Sequence, residues 1–211
     1  TEGDSILRGT LFDRLKASVF LTSGNGLVEF QGGQTTVMKT EDTVGWPAGR
    51  DVETYQRYLY ILSTDGKIYK YERLSNRYGP SVQYNVNGDL SNAIDMSIDQ
   101  SVYILKEGGA VVKLFRGEVQ PFVIHGAPDG VMKGVTHMVK PLGGHLYFLD
   151  PTKKRVVVVA DNSPSGDVSY VRQYVLEGEQ VGTLQDLYVD PDEAHLYVLD
   201  EQRLHVIDIK K

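Results

Sequence analysis

The chain has 211 residues, 41% hydrophobic and 24% charged, so it can build a sizeable core and does not suit disorder. Lys and Arg number 22 against 28 Asp and Glu, a formal charge of -6, which argues against nucleic acid or an anionic membrane as the main partner. Cysteine is absent, which excludes disulfides, thiolate zinc sites and cysteine nucleophiles.

The chain starts Thr1-Glu2-Gly3-Asp4 without Met or a visible signal peptide, as expected of a piece of a longer protein with flanking domains. The first strand-like segment is Ser5 to Leu11. Five similar units follow. Each carries an aromatic or apolar strand: Val19 to Thr22, Leu59 to Leu62, Val102 to Leu105, Leu146 to Leu149 and Leu196 to Leu199. These strands start at 19, 59, 102, 146 and 196, at intervals of 40, 43, 44 and 50 residues. Four-stranded propeller blades recur every 40–50 residues or so.

A tight turn follows each strand, such as Ser23-Gly24-Asn25-Gly26 or Thr64-Asp65-Gly66, then a third strand such as Ile68 to Tyr71 or Val156 to Val159. Upstream lies a shorter strand: Arg50-Asp51-Val52, Ile94-Asp95-Met96, Thr136-His137-Met138 and Gln185-Asp186-Leu187, with Phe12-Asp13-Arg14 as a weaker member. Fourth strands are expected at Val119 to Ile124 and Tyr170 to Leu176. No window over 12 residues keeps a helical period, and apolar runs near Val156 to Ala160 are too short to span a membrane, so no membrane insertion is expected. The pattern predicts an all-β, single-domain β-propeller of five four-stranded blades, at about 12–48, 49–90, 91–132, 133–182 and 183–211. Residues 5–11 are expected to supply the missing strand of the last blade and close the ring.

The stretch Leu187 to Asp200, followed by His205-Val206-Ile207-Asp208, resembles NHL and YVTN-type propeller repeats, as does Ala93 to Leu105. Asp51 to Ile209 also resembles bacterial propeller regions found beside PPM-type phosphatase-like domains or in membrane-anchored proteins. That resemblance implies a non-catalytic docking or sensing unit. With the lack of cysteine, it gives a weak preference for a bacterial extracytoplasmic or envelope-associated setting.

Asp51, Asp95, His137 and Asp186 fall at equivalent inner-strand positions, with Asp13 a candidate fifth. Inner strands line a propeller's channel, where such oxygen and nitrogen donors suit a divalent cation, Ca²⁺ or Mg²⁺. A metal-dependent, lactonase-like propeller hydrolase is the enzymatic alternative. The favoured reading is structural: the carboxylates sit between blades and accept backbone N–H bonds, and no cofactor is required. No nucleophile elbow or zinc-protease motif is present.

Binding is expected on a rim face, to a protein or a small ligand. Trp46 lies in a loop entering an inner strand, and Asp129, Met132 and Lys133 lie in the loop joining blades three and four. Loops of this kind carry binding on rigid scaffolds. Against this, Trp46 also suits packing over the seam between blades one and two.

Overall fold

The computed structural model describes residues 4–41, 46–161 and 167–209. Short β-branched and aromatic runs alternate with turns that need positive φ, so hairpins form in succession. Asn25 has φ 54° and Gly66 φ 75° at two of these turns.

Five antiparallel blades result. Blade one holds β1 (Ile6–Phe12), β2 (Ala17–Thr22), β3 (Leu27–Gln31) and β4 (Gln34–Met38). Blade two holds β5 (Gly49–Tyr55), β6 (Tyr58–Ser63), β7 (Ile68–Glu72) and β8 (Val82–Gln83). Blade three holds β9 (Ala93–Ile98), β10 (Val102–Lys106), β11 (Val111–Phe115) and β12 (Glu118–Gln120). The strand β13 (Val123–His125) then crosses to blade four, which adds β14 (His137–Val139), β15 (Leu146–Asp150), β16 (Arg155–Asp161) and β17 (Asp167–Val175). Blade five holds β18 (Leu184–Val189), β19 (His195–Asp200) and β20 (Leu204–Asp208). The molecule is a five-bladed β-propeller, as the repeat predicted.

Three expectations change. The N-terminal strand does not complete blade five; β1 is the inner strand of blade one, paired antiparallel with β2 from Ile6↔Thr22 to Phe12↔Ala17. Val119 to Ile124 is not one strand. Pro121 interrupts it, since proline has no N–H to donate, and β13 pairs parallel with β17 instead. The blade-one repeat is also offset by one residue. Leu21, not Thr22, holds the position that Leu62, Leu105, Leu149 and Leu199 hold in the other blades. A one-residue slip sends side chains to the opposite face, so Val19 takes the place of Tyr60, Tyr103, Tyr147 and Tyr197.

The core is a series of seams between blade faces. Val19, Leu21, Val52 and Leu59 pack between blades one and two. Tyr60, Leu62, Met96 and Ile104 fill the second seam, and Tyr103, Leu105, Met138 and Phe148 the third. Tyr147, Leu149, Leu187 and Leu196 fill the fourth. Among the described residues no apolar cluster joins blade five to blade one. Tyr188 is 52% exposed and Leu199 42% on blade five; Leu11 is 57% exposed and Val37 65% on blade one.

Ile104 is fully buried in the second seam. Ile104→Ala is expected to cost about 2–5 kcal/mol in urea unfolding, and Val37→Ala within about 0.5 kcal/mol. Equal losses would mean that the seams do not carry the stability.

Candidate functional site

Strand register builds the channel ring. Opposite the repeated leucine stand Arg8, Asp51, Asp95, His137 and Asp186, one from each inner strand. The four predicted residues are therefore equivalent, and the fifth member is Arg8. Asp13 instead lies in a 3-10 turn, exposed and paired with Lys16 at 2.6 Å. Arg8 escaped sequence reasoning because residues 5–11 were expected to close blade five and Phe12-Asp13-Arg14 to be the inner strand of blade one, whereas β1 (Ile6–Phe12) is that inner strand.

The carboxylates cross seams. Asp51 Oδ1 accepts from its neighbour Val52 N at 2.8 Å, and Oδ2 from Met96 N of blade three at 2.7 Å. Asp95 Oδ2 accepts from Met138 N of blade four at 2.6 Å. Ser97 Oγ repeats the pattern, accepting from Lys140 N at 2.9 Å. Asp186 Oδ1 accepts from Leu187 N on its own strand, at 2.8 Å.

Charge in the ring is set by Arg8. Its Nε lies 3.9 Å from Asp51 Oδ1, an ion pair without a hydrogen bond, and that Nε is buried with no hydrogen-bond partner among the described residues. Its Nη2 lies 3.5 Å from His137 Nε2, and His137 Nδ1 lies 2.9 Å from Thr136 Oγ1. Arginine only donates, so this geometry assigns His137 as neutral, accepting at Nε2 and donating from Nδ1. Burial first, then Arg8, lowers the His137 pKa. Burial pushes Asp51 up to about 6 despite its hydrogen bonds and Arg8, and holds Asp95 well above the usual carboxylate range, helped by the charge of Asp51. Glu53 accepts from Thr10 Oγ1 at 2.8 Å. Desolvation, then Asp51, pushes it up to about 8.

Among the described residues no three His, Asp or Glu side chains are grouped to hold a metal ion. Asp51 and Asp95 each give an oxygen to a backbone N–H of the next blade, Asp186 accepts from its own strand, and the Arg8 guanidinium stands beside Asp51.

The predicted rim residues divide. Trp46 is only 8% exposed and packs edge-on to Tyr71 at 5.8 Å in the first seam, so it is a core residue and not an exposed contact. Residues 42–45 of its loop lie outside the described residues. Asp129 and Lys133 are exposed. Met132 is half-buried against the third seam, and the loop is tied down by Arg155 Nη2 donating to Val131 O at 2.8 Å.

A groove of about 420 Å³ lies where the β5–β6, β9–β10 and β11–β12 turns meet, at the opposite strand ends from the Trp46 loop. Tyr55, Tyr58, Tyr60 and Tyr84 line it with Lys70 and Arg116. Lys70 Nζ sits 3.9 Å from the centre of the Tyr58 ring and 5.6 Å from that of Tyr60. Neither cation makes an ion pair among the described residues. Asp99 also lines the groove; its Oδ1 is buried with no hydrogen-bond partner among the described residues, while Oδ2 meets Lys140 Nζ at 3.1 Å. The sequence signal was the tyrosine density around Lys70. Which tyrosines share a rim depends on turns from two different blades.

No protein-family profile and no curated sequence matches the chain. Solved structures of similar fold are propellers. YCF48 bound to D1 peptide superposes with a TM-score of 0.57 at 9% identity, over 92% of this chain and 60% of that one. A catalytically inactive H270A virginiamycin B lyase from Staphylococcus aureus, with quinupristin, gives 0.60 at 8% identity, over 100% of this chain and 72% of that one. The chain thus spans 60% of the length of the YCF48 chain. At these identities the likeness concerns the fold alone.

Asp51, Glu53 and Asp95 bind protons more tightly folded than unfolded. The stability this contributes is fully present below about pH 4 and is lost as pH rises through about 6 for Asp51 and about 8 for Glu53. Urea midpoints are therefore expected to fall between pH 5 and pH 9, and to fall less for Glu53→Gln. A midpoint rising over that range would contradict the assignment.

Proposed function

We propose that the chain is a non-catalytic propeller, a rigid module that binds a protein partner by taking an extended acidic segment in the tyrosine groove. The observation that carries this reading is the pair of cations, Lys70 and Arg116, which make no ion pair among the described residues and stand beside the edge-on rings of Tyr60 and Tyr84. Aromatic walls take apolar or proline-rich side chains, and the cations answer carboxylates. The peptide in the YCF48 complex supports a binding role for this fold. In this reading the blades are NHL/YVTN-type repeats of bacterial origin, and the propeller is the docking or sensing part of a larger protein. The exposed loop residues Asp129 and Lys133 offer a second contact on the opposite rim.

The enzymatic alternative draws support from the converging ring and from the lyase neighbour. It requires Arg8 to leave and Ca²⁺ or Mg²⁺ to take its place. Calorimetric titration of metal-stripped protein with either ion is expected to give no binding heat, whereas tight binding lost in Asp95→Asn would favour the hydrolase.

For the docking reading, a displayed peptide library is expected to enrich segments that combine acidic and aromatic or proline residues. Lys70→Ala and Arg116→Ala should each weaken a selected peptide by roughly tenfold. No enrichment, or unchanged affinity in both variants, would refute the groove.

A further inference from the structure

The third strands of the blades carry two repeated positions that face one another across the seams. Opposite Val19, Tyr60, Tyr103 and Tyr147 stand Glu29, Lys70, Lys113 and Val158, in blades one to four. Ile68, Val111, Val156 and Leu204 face the repeated leucine in blades two to five. Five residues beyond each of them stand Arg73, Arg116, Asp161 and Ile209. In the first seam Glu29 and Arg73 form a buried ion pair, Nη2 lying 2.8 Å from Oε1, and the Tyr78 hydroxyl donates to Glu29 Oε2 at 3.4 Å. In the third seam the charges are reversed. Lys113 Nζ lies 2.6 Å from Asp161 Oδ2, and the Tyr103 hydroxyl donates to the same oxygen at 2.7 Å. In the fourth seam both positions are apolar, and Val158 and Ile209 belong to one cluster. The second seam instead carries two cations, Lys70 and Arg116.

The surroundings of Lys70 repeat those of Lys113. Lys70 Nζ is 5.6 Å from the centre of the Tyr60 ring, and Lys113 Nζ is 5.7 Å from that of Tyr103. The Tyr60 hydroxyl, the equivalent of the one that Asp161 accepts from, makes no hydrogen bond among the described residues. Burial raises its pKa, so it stays a donor. Arg116 sits in the β11–β12 turn with φ 53°, exposed over the Phe115 ring and lining the tyrosine groove.

The acids nearby are already answered. Glu72 meets Arg57 at 3.4 Å, Asp99 meets Lys140 at 3.1 Å, and Glu53 accepts from Thr10 at 2.8 Å. Glu118 is exposed on β12 and makes no ion pair with Arg116 among the described residues. Two cations and a hydroxyl donor therefore stand where the first and third seams each hold a carboxylate as well.

We infer that the second seam is completed from outside: one carboxylate of a bound segment sits between Lys70 and Arg116 and accepts from the Tyr60 hydroxyl, in the part that Asp161 plays in the third seam. This rests on the docking reading above and names its anchor, a single Asp or Glu side chain of the partner. Ammonium and guanidinium donors give charge-assisted bonds to that group. The tyrosine rings beside it take the neighbouring side chain of the segment.

The test uses the full chain and two probes. Sodium acetate, titrated at ionic strength held constant with sodium chloride, is expected to shift the Lys70 Nζ and Arg116 Nε NMR signals saturably. Lys113, already answered by Asp161, should not move. Tyr60→Phe and Arg116→Gln should each weaken acetate about threefold or more. Arg116 is exposed, so its variant reads binding even if Tyr60→Phe does not fold. The second probe is an acidic peptide selected on the groove. Changing one of its acids to the amide should cost about tenfold, and that loss should vanish in Lys70→Ala. Absence of an acetate shift, or an equal shift with chloride alone, would overturn the anchor. So would a selected peptide that depends on no single acid, although docking itself would then stand. Saturable acetate binding with no peptide selected would instead keep the carboxylate site and refute the docking reading.

Discussion

Asp51 and Asp95 each give one carboxylate oxygen to a backbone N–H of the next blade, at Met96 and Met138. These bonds tie successive inner strands at one level around the channel. Inner strands of different blades do not share a sheet, so side chains must do this joining. The aspartate carboxylate is short, fixed by two torsions and able to accept from two donors at once. Apolar seams then close outside the tie, with the repeated leucine at each register position facing the next blade.

That arrangement brings carboxyls together in a buried place, and the molecule handles the charge in two ways. Burial holds Asp51 and Asp95 above the usual carboxylate range, and Arg8 supplies a positive charge within reach of both Asp51 and His137. A guanidinium keeps its charge at any ordinary pH, which makes it a suitable counter-ion for a structural ring. Asp186, in the last blade, is exposed and accepts from its own strand. Tyr188 and Leu199 of that blade are likewise exposed, while Leu62, Leu105 and Leu149 are buried.

The blade architecture was legible because turn residues and aromatic strands recur at near-constant spacing. The ring was legible in part, since Asp51, Asp95, His137 and Asp186 repeat within the same local pattern. Arg8 was not, because its segment reads as a free N-terminal strand suited to closing blade five, and an arginine does not match the acidic residue of the other inner strands. Trp46 looked like a rim contact from its loop position, yet Gly49 leaves room for its ring in the first seam. The tyrosine groove arises from how separate blades sit beside one another, which local sequence does not encode. Asp129, Met132 and Lys133 were read from loop composition, and the structure leaves two of the three exposed.

The account rests on Asp51 and Asp95 being tied to the backbone of the next blade in a buried ring beside Arg8, which holds their carboxyls above the usual carboxylate range. Carbon-13 NMR of the side-chain carboxyls of Asp51 and Asp95, followed from pH 3 to pH 9, observes this directly. It should show at least one of the pair still protonated at pH 6, with the titration unmoved by millimolar Ca²⁺ or Mg²⁺. Both carboxyls fully ionised at pH 6, or a titration displaced by either cation, would contradict it.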